Sequence, residues 1–137
     1  MISENRTSNE RFGLSVLIVD DSPAMRTFIK RVLGLSGLDI SGILEAGDGR
    51  EALDTMHCYP VDLVLSDVNM PVMNGEEMLR CIESDGDLCR VPVLVISTDS
   101  SHHRVQTMLA HGARGYLQKP FRPEALRAEI ERVLEER

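Results

Sequence analysis

The sequence predicts an α/β fold in which five short strands alternate with five amphipathic helices. Residues 15–19 and 91–96 are nearly continuous apolar runs rich in β-branched side chains. Such runs are typical of strands that are covered on both faces, as in parallel sheets. Apolar residues at helical spacing follow each strand. This strict alternation indicates a doubly wound parallel sheet with right-handed crossovers and helices on both faces.

Each predicted strand has its own boundary signals. The first ends at Asp20 and the third at Asp67, while the second is the weakest because its apolar run is broken. Pro92 stands near the start of the fourth strand, where no ladder hydrogen bond is lost. The fifth is short and is ended by Lys119 and Pro120. The expected strands are residues 15–19, 40–45, 61–66, 91–96 and 115–118.

The helices are predicted from caps, breakers and apolar spacing. Ser22 can cap the first helix, Pro23 suits its first turn, and Gly34 and Gly37 mark its end. Gly112 ends the fourth helix and Pro123 lies at the start of the fifth. The shorter second and third helices are expected at residues 50–58 and 76–84, and the fourth at 102–111. Apolar faces expected against the sheet include Met25, Phe28, Ile29, Val32 and Leu33 in the first helix and Val105, Met108 and Leu109 in the fourth.

Length and composition favour one globular domain, with a flexible polar lead-in at residues 1–13 and a folded domain at 14–137. The net charge of −7 argues against direct binding of nucleic acid, because phosphate contacts need a basic patch. Cys58, Cys81 and Cys89 fit neither a disulfide framework nor a zinc site. We therefore expect free, packed thiols in a reducing cytoplasm. A polar N-terminus and the lack of long apolar runs predict a cytoplasmic protein without membrane insertion.

Polar side chains follow four of the five strands at the points where those strands end. Asp20 and Asp21 follow the first strand, Asp67 the third, Ser97 the fourth and Lys119 the fifth. In a parallel sheet these ends share one edge, where open α/β folds bind their ligands. Each residue alone could be a solvated charge or a cap. Their combination at one edge predicts a functional site.

The chemistry of these side chains suits phosphoryl transfer. Three neighbouring carboxylates repel one another, and a hard cation such as Mg²⁺ with oxygen ligands relieves that repulsion. Asp20 and Asp21 are adjacent and would hold the metal. Asp67 stands alone on the central strand and is the candidate nucleophile. Lys119 would neutralise one phosphoryl oxygen, and Ser97 would donate a hydrogen bond to another.

Four motifs together resemble the receiver domain of two-component response regulators. They are VDDS at 19–22, DVNMPVMNG at 67–75, Ser97 after an apolar strand, and GARGYLQKPF at 112–121. The resemblance extends over about residues 14–134. It implies the CheY-like, flavodoxin-like (βα)5 fold with strand order 2-1-3-4-5.

The resemblance also implies roles for individual residues. Asp67 would take a phosphoryl group from a phosphohistidine on a sensor histidine kinase or a histidine phosphotransfer domain. Asp21, Asp67 and the backbone carbonyl of Asn69 would bind Mg²⁺ directly, and Asp20 would bind it through water. Tyr116 resembles the aromatic residue that turns inward when the family's switch hydroxyl moves.

Further expectations from the resemblance concern the switch and the lifetime of the acyl phosphate. Ser97 corresponds to the switch hydroxyl, and the bond between Lys119 and Pro120 is expected to be cis. Thr98 stands where the family usually has Ala or Gly, so we expect narrower access to the phosphoacceptor. Asn69 and Asp99 flank the phosphoryl site, and their polar side chains predict a short-lived signal.

The expected output is a protein interaction through the surface formed by the fourth helix, the fifth strand and the fifth helix, which we call the α4-β5-α5 surface. It includes Arg104, Val105, Arg114, Tyr116 and Gln118. The chain would be a single-domain signalling switch with a chemotaxis-type or other output. As an enzyme it would only phosphorylate itself from a donor and dephosphorylate itself.

Three alternatives remain open at the level of the sequence. Within the same family, the chain could be a phosphorelay intermediate or a receiver cut from a longer regulator. From another class, it could be a phosphatase with an aspartate nucleophile. Phosphatases of the haloacid dehalogenase type place an Asp-x-Asp pair on the first strand, whereas Asp67 and Asn69 follow the third.

Overall fold

The computed structural model describes residues 13–99 and 101–135, and within these ranges five strands alternate with five helices. The strands are β1 (Leu14–Val19), β2 (Ile40–Ala46), β3 (Leu63–Ser66), β4 (Val93–Ser97) and β5 (Gly115–Gln118). The helices are α1 (Pro23–Leu35), α2 (Gly49–Cys58), α3 (Gly75–Ser84), α4 (His102–Ala110) and α5 (Pro123–Glu135). Apart from Gly13, the predicted lead-in lies outside the described residues.

All strand pairs are parallel, and the strand order is β2-β1-β3-β4-β5. The predicted fold class and strand order are therefore confirmed. Because β1 and β3 are neighbours at the centre of the sheet, their carboxyl ends meet at one edge. The ends of β4 and β5 lie beside them on the same edge.

Core side chains pack on both faces of the sheet. Successive residues of a strand point to opposite faces, so Leu17 packs with α2 and α3 while Ile18 packs with α1 and α5. The helices on the first face contribute Ala52, Leu53, Met56, Met78, Leu79 and Ile82. Those on the second contribute Ile29, Val32, Leu33, Leu126, Ile130 and Val133. The described residues contain no helix that is long and apolar enough to cross a membrane.

Several local predictions differ from the structure. β3 and β4 each begin two residues later than expected, at Leu63 and Val93. Phe28 was expected in the core but is exposed, and its ring meets that of Phe121 edge to face at 5.7 Å between centroids. Leu109 is also exposed, because α4 turns a narrower stripe centred on the buried Met108 toward the core.

The cysteines are free thiols, as expected, but the prediction that all of them pack in the fold is wrong. Cys58 and Cys89 are exposed, and Cys81 is half-buried. Cys58 is the last residue of α2, where the helix leaves its buried face, and Cys89 lies in the turn between α3 and β4. At both positions the cysteine side chain points away from the core.

Candidate phosphoryl-transfer site

Three carboxylates lie together at the carboxyl edge of the sheet. One oxygen each from Asp20, Asp21 and Asp67 lies within 4.8 Å of the others. The pairing of β1 with β3 causes this proximity, since the Asp67 N–H donates to the carbonyl of Val19 at 2.9 Å. The structure therefore brings together the carboxylates that the sequence singled out.

Asp20 is the buried member of the cluster, with 2% of its surface exposed. Its Oδ1 accepts from the N–H of Ser22 at 2.9 Å, and its Oδ2 lies 3.3 Å from Lys119 Nζ. Its own N–H donates to the carbonyl of Ala46 at 3.0 Å. Asp21, by contrast, is exposed. One carboxylate of the pair is thus fixed by the protein while the other faces solvent.

One carboxylate oxygen of Asp67 is hydrogen-bonded to the backbone, and the other lies near a cation. Its Oδ1 accepts from the Val68 N–H at 2.7 Å, and its Oδ2 lies 3.5 Å from Lys119 Nζ. Burial raises the pKa of Asp67 above its ordinary value, while the Val68 amide and the Lys119 ammonium partly oppose this rise. A poorly hydrated carboxylate beside an ammonium group is arranged for nucleophilic chemistry.

Lys119 and Ser97 complete this edge of the sheet. The Lys119 ammonium is largely buried between Asp20 and Asp67. Its backbone N–H donates to the Ser97 carbonyl at 2.9 Å, and its peptide bond to Pro120 is cis, as predicted. The Ser97 side chain is buried, and its Oγ accepts from the Asp99 N–H at 3.1 Å. The Ser97 hydroxyl is therefore hydrogen-bonded to the loop between β4 and α4.

Tyr116 is connected to the Ser97 hydroxyl through Asp99, to which both side chains are hydrogen-bonded. It is half-buried in β5, and its phenolic hydroxyl donates to the carbonyl of Asp99. The Asp99 carboxylate turns toward Ser101, whose N–H donates to it at 3.0 Å, and lies 3.7 Å from Arg104 Nε. The Ser101 hydrogen bonds, aided by Arg104, hold the pKa of Asp99 below its ordinary value.

Asn69 and Thr98 border the site from exposed loop positions. Asn69 lies in the loop between β3 and α3. Thr98 lines a largely apolar cavity of about 330 Å³, together with Met25, Phe28, Lys119 and Pro120. Lys119 lines this cavity and also contacts Asp20 and Asp67, so the cavity lies beside the carboxyl edge of the sheet. The effect of Thr98 on access to Asp67 stays a prediction.

Sequence reasoning missed the hydrogen bonds that hold Asp20 and Asp67 in place. Arg26 Nη1 donates to the carbonyl of Asp20 at 2.5 Å, and the N–H groups of Ser22 and Val68 bind carboxylate oxygens. Arg26 lies at the end of the first turn of α1, where a charged side chain is ordinarily solvated. A helical projection places Arg26 near the loop before the helix, but the sequence does not show that its side chain reaches the carbonyl oxygen of Asp20.

The donor set fits a hard divalent cation. Carboxylate oxygens from three residues converge, and two of them belong to side chains that remain open to solvent or to an incoming group. Mg²⁺ prefers such oxygen ligands and keeps several waters. The cluster could therefore hold Mg²⁺ with Asp20, Asp21 and Asp67 as the contributing side chains.

Comparisons with known proteins identify the family of this chain. The family described as "response regulator receiver domain" matches residues 16–131. The chemotaxis protein CheY of Pseudomonas aeruginosa is 34% identical over 122 residues, which cover 89% of this chain and 97% of that protein. CheY1 of Helicobacter pylori is 35% identical over 122 residues, covering 88% and 97%.

Solved structures give the same result. The chemotaxis response regulator CheY4 of Vibrio cholerae superposes with a TM-score of 0.79 at 38% identity, covering 89% of this chain and 99% of that one. A putative response regulator from Chloroflexus aurantiacus shares the fold with a TM-score of 0.82 at 24% identity, covering 90% and 98%. By fold, site geometry and sequence, this chain belongs to the response regulator receiver domain family and is CheY-like.

Proposed function

We propose that this chain is a response regulator receiver whose Asp67 accepts a phosphoryl group from a phosphohistidine. The donor would be a sensor histidine kinase or a histidine phosphotransfer domain. The observation that carries the proposal is the placement of the Asp67 carboxylate beside the Lys119 ammonium and within 4.8 Å of the Asp20 and Asp21 carboxylates. Proteins of this family act as signalling switches rather than as conventional enzymes.

In the proposed reaction, a carboxylate oxygen of Asp67 attacks phosphorus, the phosphorus–nitrogen bond breaks, and the imidazole leaves with its electron pair. Lys119 lies where it can stabilise charge on a phosphoryl oxygen. Asp21, Asp67 and the Asn69 carbonyl would hold Mg²⁺, with Asp20 bound through water. When bound, the ion neutralises negative charge on the transferring group.

The phosphorylated state would be passed on through Ser97 and Tyr116. Both residues contact Asp99, one at its N–H and one at its carbonyl. If the Ser97 Oγ rotates away from Asp99 to donate to a phosphoryl oxygen, the hydrogen bond from the Asp99 N–H breaks. The loop before α4 would then rearrange, and with it the α4-β5-α5 surface that we propose binds a protein partner.

The lifetime of the phosphorylated state would depend on residues around the approach to Asp67. Thr98 narrows the space beside Lys119, which should slow both donor entry and hydrolysis. Asn69 and Asp99 have polar side chains that could orient an attacking water. In this structure the Asp99 carboxylate is instead held by Ser101. Its contribution to hydrolysis therefore requires the loop to move.

The relatives named above are chemotaxis proteins. We accordingly propose a chemotaxis-type output in the cytoplasm, by binding of a protein rather than of nucleic acid. A relay role would require onward transfer of the phosphoryl group to a second histidine.

The proposal is tested by incubating the full chain with a small phosphoramidate donor and following incorporation of one phosphoryl group by intact-mass spectrometry. We expect stoichiometric labelling that needs Mg²⁺, stops in EDTA and is lost in Asp67→Asn. Asp54→Asn, which changes an exposed carboxylate of α2, is the matched control and should label normally. Sustained turnover of a small phosphate ester would instead support the phosphatase alternative.

A further inference from the structure

The peptide group between Asp20 and Asp21 is held from outside the site by Arg26. The Asp20 carbonyl accepts from Arg26 Nη1 at 2.5 Å. Because the peptide group is planar, this hydrogen bond fixes the plane that joins the two aspartates. It therefore restrains the direction in which the exposed Asp21 side chain leaves the backbone.

Arg26 is in turn fixed by a second strand. Its Nε donates to Glu45 Oε1 in β2 at 2.8 Å, and only 18% of its side chain is exposed. Lys30 Nζ holds the other oxygen of Glu45 at 2.7 Å. The planar guanidinium makes both of its contacts through different nitrogens in one rigid group, which a lysine ammonium cannot reproduce. The β1–α1 loop is thereby tied to β2 through a single side chain.

The geometry points to Arg26 as a positioning residue for the metal-binding carboxylates. Arg26 does not contact the ion or the phosphoryl group; it orients the peptide from which Asp21 reaches the cluster. This inference rests on the proposed function, because it assumes that Asp20, Asp21 and Asp67 hold Mg²⁺. Partners that orient metal ligands typically change metal affinity by roughly 10-fold or more when removed.

Two effects of Arg26 on Mg²⁺ have opposite signs and must be separated. Its positive charge repels the cation, so loss of the charge alone would tighten binding. Its hydrogen bond to the Asp20 carbonyl orients the ligands, so loss of that bond would weaken binding. Arg26→Lys keeps the charge but cannot bind the Asp20 carbonyl and Glu45 through two nitrogens of one planar group. It therefore reports on orientation alone.

Lys30 offers a matched control for this substitution. Lys30 and Arg26 both lie on α1 and both bind Glu45, but of the two only Arg26 is bonded to Asp20. Lys30→Arg also keeps its charge. Any effect of a weakened Glu45 pair should appear in both variants, whereas an effect through Asp20 should appear in Arg26→Lys alone.

The experiment measures Mg²⁺ dissociation constants of the full chain by calorimetric titration. We expect Arg26→Lys to weaken Mg²⁺ binding by about 10-fold, and Lys30→Arg to stay within about twofold of wild type. In NMR spectra without metal, the backbone amide of Asp21 should shift in Arg26→Lys and not in Lys30→Arg. Equal Mg²⁺ affinities of Arg26→Lys and wild type, or equal losses in the two variants, would overturn the inference.

Two further measurements keep the test decisive. Glu45→Gln leaves Arg26 in place but removes its charged anchor, so it should weaken Mg²⁺ binding by less than Arg26→Lys does; unchanged affinity would contradict the inference even if Arg26→Lys fails to fold. Wild type that binds Mg²⁺ while Asp67→Asn does not upholds the proposed function whatever Arg26 does. Wild type that does not bind Mg²⁺ overturns both.

Discussion

At the scale of single residues, ionisation of Asp67 is costly to the folded state in the absence of metal. Asp67 loses hydration on folding, and this desolvation outweighs the help of Val68 and Lys119, so the pKa of Asp67 rises. Its ionised form therefore destabilises the folded state. Asp20 remains within reach of Lys119 at 3.3 Å, so neutralising Asp67 would not leave the ammonium without a carboxylate.

We expect Asp67→Asn to stabilise the metal-free protein by on the order of 1 kcal/mol at neutral pH. A raised folded-state pKa means that the folded chain binds more protons than the unfolded chain, so stability falls as pH rises through that interval. The gain should vanish below about pH 3, where the carboxyl is protonated in both states. Urea unfolding in EDTA across this pH range measures it, and an Asn variant that is less stable at neutral pH would contradict it.

A second residue-scale feature is backbone strain in the loop after Asp67. Val72 has φ = 66°, and it is the only non-glycine residue with a positive φ within residues 13–99 and 101–135. β-Branched residues rarely adopt this region, at a cost of about 1–3 kcal/mol. The side chain is 82% exposed and gains little burial in return. The strain thus has no compensating contact in the core.

Val72→Gly should therefore stabilise the protein. Relief of strain exceeds the added unfolded-state entropy of glycine, which is about 0.5–1 kcal/mol, and leaves a net gain of about 1 kcal/mol. Val72→Ala removes the branching but keeps Cβ, so its gain should be smaller. Chemical denaturation of the three proteins provides the measurement. A glycine variant that is no more stable than wild type would show that the loop does not store this strain.

At the scale of secondary-structure elements, a close backbone approach fixes the start of α3 against the segment that follows β3. Gly75 begins α3, and its N–H donates to the Val68 carbonyl at 2.7 Å. A Cβ at Gly75 would lie 2.6 Å from the Asp67 carbonyl oxygen and 3.0 Å from Val68 Cα. These atoms belong to the backbone and cannot rotate away. The first residue of α3 must therefore lack a side chain for the helix to pack at this position.

Gly75→Ala should destabilise the protein by about 2 kcal/mol and slow phosphorylation, since the helix or Asp67 must move. Gly34→Ala is the matched control, because a Cβ at that position in α1 meets nothing within 4 Å. Alanine favours helix, so the control should gain up to about 1 kcal/mol. Thermal unfolding and labelling by the phosphoramidate donor give both readouts. Equal behaviour of the two variants would exclude the proposed backbone contact.

Element by element, the sequence was most informative where side-chain pattern and backbone geometry agree. The N-cap of α1 and the order of the strands follow from Ser22, Pro23 and the family motifs, and the structure confirms them. The end of α1 differs from the prediction, because the helix continues through Gly34 to Leu35. Strand starts were less predictable, because Pro92 lacks an N–H and leaves β4 to begin at Val93. Phe28 fits a helical stripe by spacing alone, yet its environment depends on Phe121, which is distant in sequence.

The same distinction applies to the site. The carboxylates and Lys119 could be predicted because a parallel sheet brings the ends of its strands to one edge. The bond from Arg26 to a backbone carbonyl could not, because it depends on the rotamer of a long side chain and on the turn of the β1–α1 loop. Likewise, the half-buried pose of Tyr116 follows from the path of the β4–α4 loop rather than from its sequence position.

At the scale of the whole molecule, Asp99 connects the carboxyl end of β4 with the α4-β5-α5 surface. Its N–H is bound by Ser97 at the end of β4, and its carbonyl by Tyr116 in β5. Its carboxylate binds Ser101, the N-cap of α4. A change at Ser97 therefore reaches both a strand and a helix of the surface through one residue. Tyr116 is further anchored by its N–H, which donates to Glu129 of α5 at 3.2 Å.

Tyr116→Phe should loosen this connection without touching the phosphoacceptor. Loss of the phenolic hydroxyl frees the Asp99 carbonyl, so amide hydrogen exchange at the start of α4, residues 101–104, should quicken several-fold in the metal-free protein. Labelling of Asp67 should stay at the wild-type level, because the ring lies outside the carboxylate cluster. A phosphoryl analogue such as beryllofluoride, bound to wild type, should quicken exchange in the same segment by drawing Ser97 from Asp99. Exchange that is unaltered in Tyr116→Phe would place control of α4 elsewhere than in this loop.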